Sequence, residues 1–197
     1  MGPDGNAIFF SREKFSLIKS YHHVLQKEDG TYTNSTVIVC ELLDLKSGKE
    51  ITFLATHFKA KETPEFAEVR RNQAIHIVKL VKDIMNKKQS NIILAGDFNA
   101  TNDEPAIKLI KDGGLISAYE TICGSEPEYT TWKIRGERGA SPVSEKKRTI
   151  DFVFHQSDNI KPAAVLQVPD GEEIGKGRLP HMEFPSDHMS LVVKFNL

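Results

Sequence analysis

IILAGDFNA, residues 92–100, is the stretch on which the fold turns. Its first four residues are apolar and do not alternate. A strand with one wet face would alternate polar and apolar side chains, so this run predicts a strand buried on both faces, in the middle of a layered α/β structure. The run stops at Gly96. Asp97 and Asn99 follow one residue apart, and an extended backbone turns both to the same side. A carboxylate and an amide oxygen are hard donors suited to magnesium, which takes few protein ligands and keeps water or substrate phosphate in its shell. An Asx-turn after a strand would use the same two residues, so the pattern needs company before it carries chemistry.

Upstream, Thr63-Pro64-Glu65 supplies an N-cap, a proline at the first helical position and an early acid. Phe66, Val69, Ile77, Leu80, Val81 and Ile84 recur at helical spacing, which predicts an amphipathic helix to about Lys87. Before it, residues 14–21 (KFSLIKSY), 36–43 (TVIVCELL) and 50–56 (EITFLAT) read as three strands of a meander, the last two joined by the turn Lys46–Lys49. The opening Met1–Gly5 is a turn sequence with a strand, Ala7 to Phe10, against it, as in the middle of a domain. Downstream, a short helix is expected from about Glu104 to Lys111, capped by Asn102 or Asp103 and closed by Gly113-Gly114. Strands 149–155 (TIDFVFH) and 188–195 (HMSLVVKF) complete the pattern. The lysine-rich Gly136–Arg148 segment reads as a surface loop and Trp132 as a core residue.

Composition narrows the function classes. Against 26 basic residues stand 27 acidic ones, a net charge of -1, so no overall field draws the chain to nucleic acid or an anionic membrane. Any anion binding must be local. Cys40 and Cys123 lie far apart without metal-type spacing, which fits unpaired thiols in an intracellular, reducing compartment. No run is apolar and long enough to span a bilayer, and none has the form of a signal peptide, so no membrane partner is expected. With 39% hydrophobic positions the chain can bury a sizeable core, and residues 1–197 read as one domain without repeats or a linker.

Asp97 and Asn99 do have company. Thr56-His57 falls at the end of one expected strand, Thr149-Ile150-Asp151 at the start of another, and Asp187-His188 before the last. A lone histidine at any of these positions would be an ordinary core or surface residue; four such groups, each at a strand terminus, are harder to explain by structure alone. In this order and at these separations, TH, GDFN, TIDFVF and SDH resemble the endonuclease/exonuclease/phosphatase superfamily. Within it, THFKAK, EPEYTTWKIR, GRLP and FPSDHMSLV are similar to its nocturnin-like branch.

The resemblance implies a four-layer α/β/β/α sandwich, two packed mixed β-sheets flanked by helices, with a magnesium- or manganese-dependent phosphoesterase site. It implies that His188 contacts the scissile phosphate and poises the attacking water, while Asp151 orients its imidazole. Asp97, Asn99 and Asp187 match metal-site residues, the first two also orienting nucleophile and phosphate, and His57 matches a phosphate-stabilising residue. Lys59, Lys61 and Arg135 match contacts to a nucleotide's phosphates. Lys61 departs from the family, which more often has arginine there, and a point charge loses the geometric discrimination of a planar fork. Lys146, Lys147 and Arg148 read as a solvated face near the pocket rim.

The substrate implied is NADP(H), losing its 2′-phosphate, in the cytoplasm or mitochondria. A poly(A)-type 3′ exoribonuclease acting on RNA and a non-catalytic phosphate-binding fragment are the alternatives. The family's metal-binding glutamate, in an N-terminal QE-type motif, has no match, since Glu13, Glu28 and Glu41 stand in other contexts. The expectation is therefore a domain lacking its N-terminal portion.

Overall fold

The computed structural model describes residues 5–27, 29–87, 91–135, 144–156 and 160–197. The meander is present, with longer strands than expected: β1 (Phe15–Gln26), β2 (Tyr32–Asp44) and β3 (Glu50–His57) pair antiparallel in turn. Helix α1 (Pro64–Lys87) then crosses over to β4 (Asn91–Asp97), which lies parallel to β3. Parallel neighbours need such a crossover, because no tight turn can reverse the chain twice. Thr63 takes the expected N-cap position, its carbonyl accepting from Ala67 N–H at 3.0 Å.

After β4 come α2 (Pro105–Asp112), β5 (Ile116–Ser117), α3 (Ala118–Cys123), β6 (Thr131–Arg135), β7 (Ser144–Arg148), β8 (Asp151–Gln156), β9 (Lys161–Val165), α4 (Gly171–Ile174) and β10 (Val193–Asn196). The main sheet runs β1-β2-β3-β4-β8-β5, and β9–β10 and β6–β7 form two short sheets. β4 is interior, as its unbroken apolar run requires. Ile92 and Leu94 face a core shared with Ala74, Ile77 and Val81 of α1 and Ile107 of α2. Ile93 faces the other way, onto a cluster with Ile51, Ile160 and Phe195 under β9–β10. The layers are thus helices, a mixed sheet and a second short sheet, the α/β sandwich expected. Cys40 and Cys123 are both free. Among the described residues no helix is long and apolar enough to cross a membrane.

Several local expectations are corrected. Ala7–Phe10 is not a strand: it has no ladder partner among the described residues, and Phe9 is exposed. Residues 1–4 of the opening turn, and Glu28, lie outside the described residues. The N-cap of α2 is Glu104, not Asn102 or Asp103; the Asp103 carboxylate instead accepts from the Thr101 hydroxyl and the Asn102 amide pairs with Lys111. Of the expected last strand only Val193–Asn196 is regular, since the residues before it are spent on site contacts such as Met189 N–H to the Thr130 carbonyl at 2.7 Å. Ser144–Arg148 is a strand paired to β6 rather than loop, while 136–143 lie outside the described residues. Trp132 is buried with Tyr129, Ile174 and Leu179, and both Lys147 Nζ and the Arg178 guanidinium lie over its ring.

Candidate active site

Sheet register builds the centre of the site. His57 at the end of β3 pairs with Asp97 at the end of β4, and Asp97 pairs with Asp151 at the start of β8. Residues directly opposite one another on neighbouring strands project from the same face, so the three side chains form a row across the sheet. Gly96 makes the row possible. At φ +154 its backbone passes so close to β3 that a Cβ would stand 1.9 Å from the Thr56 carbonyl oxygen.

His188 arrives from the segment before β10. Its Nδ1 lies 2.9 Å from Asp151 Oδ2, and its Nε2 is 4.0 Å from Asp97 Oδ2. His57 Nε2 approaches the same Asp97 oxygen at 3.5 Å, so one carboxylate atom stands between two imidazoles. Burial, then the neighbouring Asp151 charge, pushes the Asp97 carboxyl above the usual range. The hydrogen bond to Asp151 raises His188 above an ordinary histidine, against the opposing effect of its partial burial.

Asn99 sits in the left-handed region at φ 49, where its N–H donates to Asp97 Oδ1 at 2.8 Å. This is the Asx-turn that competed with the metal reading in sequence. Its amide nitrogen donates to the Phe58 carbonyl at 3.1 Å, which leaves the amide oxygen as the end able to meet a ligand. Asp97, Asp151 and His188 offer ligand atoms within 4.8 Å of one another. The Asp97 carboxylate, largely buried, crowded by Asp151 and held at a raised pKa, is a group that a divalent cation would relieve, and with the amide oxygen of Asn99 it offers hard oxygen donors that fit one.

Asp187 does not join them. Ser186, Asp187 and His188 form a bend, with the His188 N–H on the Ser186 hydroxyl at 3.1 Å, and while His188 turns inward Asp187 turns out. Its carboxylate lies 2.5 Å from Lys133 Nζ, which holds it below the usual carboxylate range. Lys59 and Lys61 both reach over the Phe66 ring, and Lys59 Nζ touches Asn34 Oδ1 at 3.5 Å. Arg135 ends β6, and its side chain lies outside what the structure describes.

A pocket of about 280 Å³ opens beside His188, lined among others by Lys61, Asn99, Lys133, Lys146 and Arg148. Another of about 310 Å³ lies across the Ala60-Lys61 backbone, beside His57 and Lys59. A larger cavity of about 620 Å³ between β1 and the end of α1 contains none of these groups, so size alone does not locate the chemistry. Lys146 and Arg148 belong to the pocket wall, each paired with Glu62, whereas Lys147 packs on Trp132. Sequence reasoning missed Thr130. Its buried hydroxyl accepts from Ile150 N–H at 3.0 Å and Asp151 N–H at 3.1 Å, and Thr131 donates to the Asp187 carbonyl at 2.8 Å. The signal was two adjacent hydroxyls between Tyr129 and Trp132.

A family model described as "Endonuclease/Exonuclease/phosphatase family" matches residues 1–188. The chain belongs to the endonuclease/exonuclease/phosphatase family. Among curated members it is 35% identical to Nocturnin of Drosophila melanogaster over 220 residues, covering 100% of the chain and 33% of that protein. It is 32% identical to Nocturnin of Homo sapiens, covering 99% of the chain and 44% of that protein. A more distant member, the CCR4-Not complex 3'-5'-exoribonuclease subunit Ccr4 of Kluyveromyces lactis, is 23% identical over 98% of the chain and 29% of its own length. The solved human Nocturnin catalytic domain, with a bound sulfate anion, superposes with a TM-score of 0.74 at 25% identity, covering 95% of the chain and 62% of that structure. The chain thus spans a third to a half of these two curated nocturnins.

Proposed function

We propose that the protein is a magnesium-dependent phosphoesterase, with manganese as an alternative ion, that removes the 2′-phosphate of NADP(H). The observation that carries this reading is the row His57, Asp97, Asp151 joined by His188 at the mouth of a pocket lined by Lys61, Lys133, Lys146 and Arg148. Likeness to nocturnins supports it, and the sulfate bound by the human relative is an anion of phosphate size and shape. A near-neutral chain with a local cationic pocket suits a small phosphorylated ligand better than a long polyanion.

Asp97 and the amide oxygen of Asn99 would hold the ion, which when bound supplies positive charge that stabilises the phosphoryl oxygens. The remaining work falls to the chain. Asp151 accepts the Nδ1 proton of His188 and fixes the tautomer, leaving Nε2 to accept a proton from the attacking water. Water adds to phosphorus, the ester P–O bond breaks, and the proton that Nε2 took from the water passes to the leaving oxygen, which restores the neutral imidazole. Lys59, Lys61 and the Arg148 side of the pocket hold the phosphate, and His57 stands beside Asp97 to steady the charge that develops.

A second reading, a poly(A)-type 3′ exoribonuclease, is favoured by the Ccr4 relative. Phosphate release from NADPH with magnesium, measured beside the shortening of an adenosine oligomer, separates the two in the full-length protein. Release of phosphate with an intact oligomer is expected. Shortening without release would support the exoribonuclease, and neither activity would point to a non-catalytic binding role.

A further inference from the structure

We propose that Arg70 is a positioning residue that sets the phosphate-gripping loop between β3 and α1, an inference that rests on the phosphoesterase reading. Arg70 lies on α1 and is 2% exposed, among the largest fully buried side chains. A guanidinium in that place needs an explanation, because burying a charge is costly unless it is paired and bonded.

Its partners supply one. Nη1 donates to the Lys61 carbonyl at 2.6 Å and, more weakly, to the Lys59 carbonyl at 3.3 Å. Nη2 bonds Glu104 Oε2 at 2.7 Å. The other Glu104 oxygen accepts from Thr101 N–H at 3.1 Å, two residues beyond Asn99. One buried guanidinium thus ties the segment bearing Lys59 and Lys61 to the segment that follows Asp97 and Asn99. One turn along α1, fully buried Gln73 accepts the Lys59 N–H at 3.0 Å, and its amide donates to Thr33 Oγ1 at 3.3 Å. The loop is gripped from behind by two buried polar heads through main-chain atoms, so the lysine side chains take no part in the grip.

Strain in the loop makes the grip necessary. Lys61 has φ 88, a conformation that side-chain-bearing residues avoid and that persists only where surroundings impose it. The shortest Arg70 bond falls on the carbonyl of that residue. The Ala60-Lys61 backbone forms the wall common to both pockets, so its placement sets where either lysine meets an anion. Arg70 reaches the substrate only through this loop and is therefore a positioning residue, not a catalytic one.

The test uses the full-length protein, with KM and kcat for NADPH and thermal unfolding for each variant. Lys59→Ala/Lys61→Ala should raise KM. Arg70→Met should raise KM by about tenfold with kcat within about threefold, yet add less than about twofold when placed in the lysine-free background. An equal KM effect in both backgrounds would overturn the inference while leaving the phosphate reading intact, because a merely structural residue acts on both alike. No KM effect of the lysine substitutions would overturn both. If Arg70→Met fails to fold, Glu104→Ala releases the same clamp from its more exposed end. It should raise KM only when the lysines are present, and an unchanged KM would overturn the inference.

Discussion

Replacing Asp151 by asparagine tests whether it and His188 act as a unit. The structure sets the scale: the pair meets at 2.9 Å with both side chains about three-quarters or more buried. A charge-assisted bond of this kind contributes roughly 1.5 to 3 kcal/mol, and each ~1.4 kcal/mol is a factor of ten in rate. Loss of the bond alone therefore predicts a kcat lower by about 10- to 150-fold. An asparagine that lets the ring take the wrong tautomer carries the loss towards the ~10²- to 10⁴-fold share of a positioned base. His188→Ala removes the base outright, and the double variant should then be little worse than His188→Ala. Two opposed changes act on stability, loss of the bond to His188 and loss of a charge that repels Asp97, so stability should change less than the rate does. The assay is the initial rate of phosphate release at saturating substrate for all four proteins, with urea unfolding of each. Fully multiplicative rate effects, or an Asp151→Asn enzyme as fast as the parent, would refute the pairing.

Other parts of the structure make further predictions. His155 is 4% exposed, neither ring nitrogen has a hydrogen-bond partner among the described residues, and burial lowers its pKa below 6.5. The unfolded chain therefore binds the proton more readily, so stability falls as pH drops below about 6.5 and levels off under the folded pKa. Urea titrations from about pH 7 to about pH 5 should show that slope, and His155→Leu should flatten it. Gly96→Ala forces a Cβ onto the Thr56 carbonyl and should cost about 3 kcal/mol or more in chemical denaturation. Thr130→Val strips the acceptor from two buried N–H groups, which should cost about 1 to 3 kcal/mol and reduce kcat through Asp151; an unchanged kcat would show that Thr130 does not position the acid.

What sequence could and could not show follows from the range of the interactions involved. The apolar run at Ile92–Ala95 and the Thr63-Pro64 start of α1 are local signals, and both elements are where they were expected. The short helices α3 and α4 were not expected: Ser117 and Asp170 cap them, each with glutamate three residues later, but the helices are too short to show helical periodicity. Ala7–Phe10 has strand-like residues and no ladder partner among the described residues, which no local pattern reveals. At the site, His57, Asp97 and Asp151 were legible because each marks a strand end, and register alone brings them together, whereas His188 lies in the irregular segment before β10. The outward turn of Asp187 onto Lys133, 54 residues away in sequence, was not legible, because adjacent acid and imidazole look equally available on paper. Arg70 was hidden for the opposite reason: beside Arg71 on a surface helix it reads as one more solvated charge, and only packing shows that one of the two is interior.

In the function proposed above, Asp97, held between two imidazoles at the end of an interior strand, is the hub of a metal-dependent phosphate-cleaving site. Phosphate release from NADPH by the full-length protein and by its Asp97→Ala variant, each across a magnesium titration, tests it most directly. Magnesium-dependent turnover is expected in the parent and none in the variant, with the variant's thermal unfolding still cooperative because the residue lies at a strand end rather than in the core. An Asp97→Ala protein that still turns over, with the same dependence on magnesium, would contradict it.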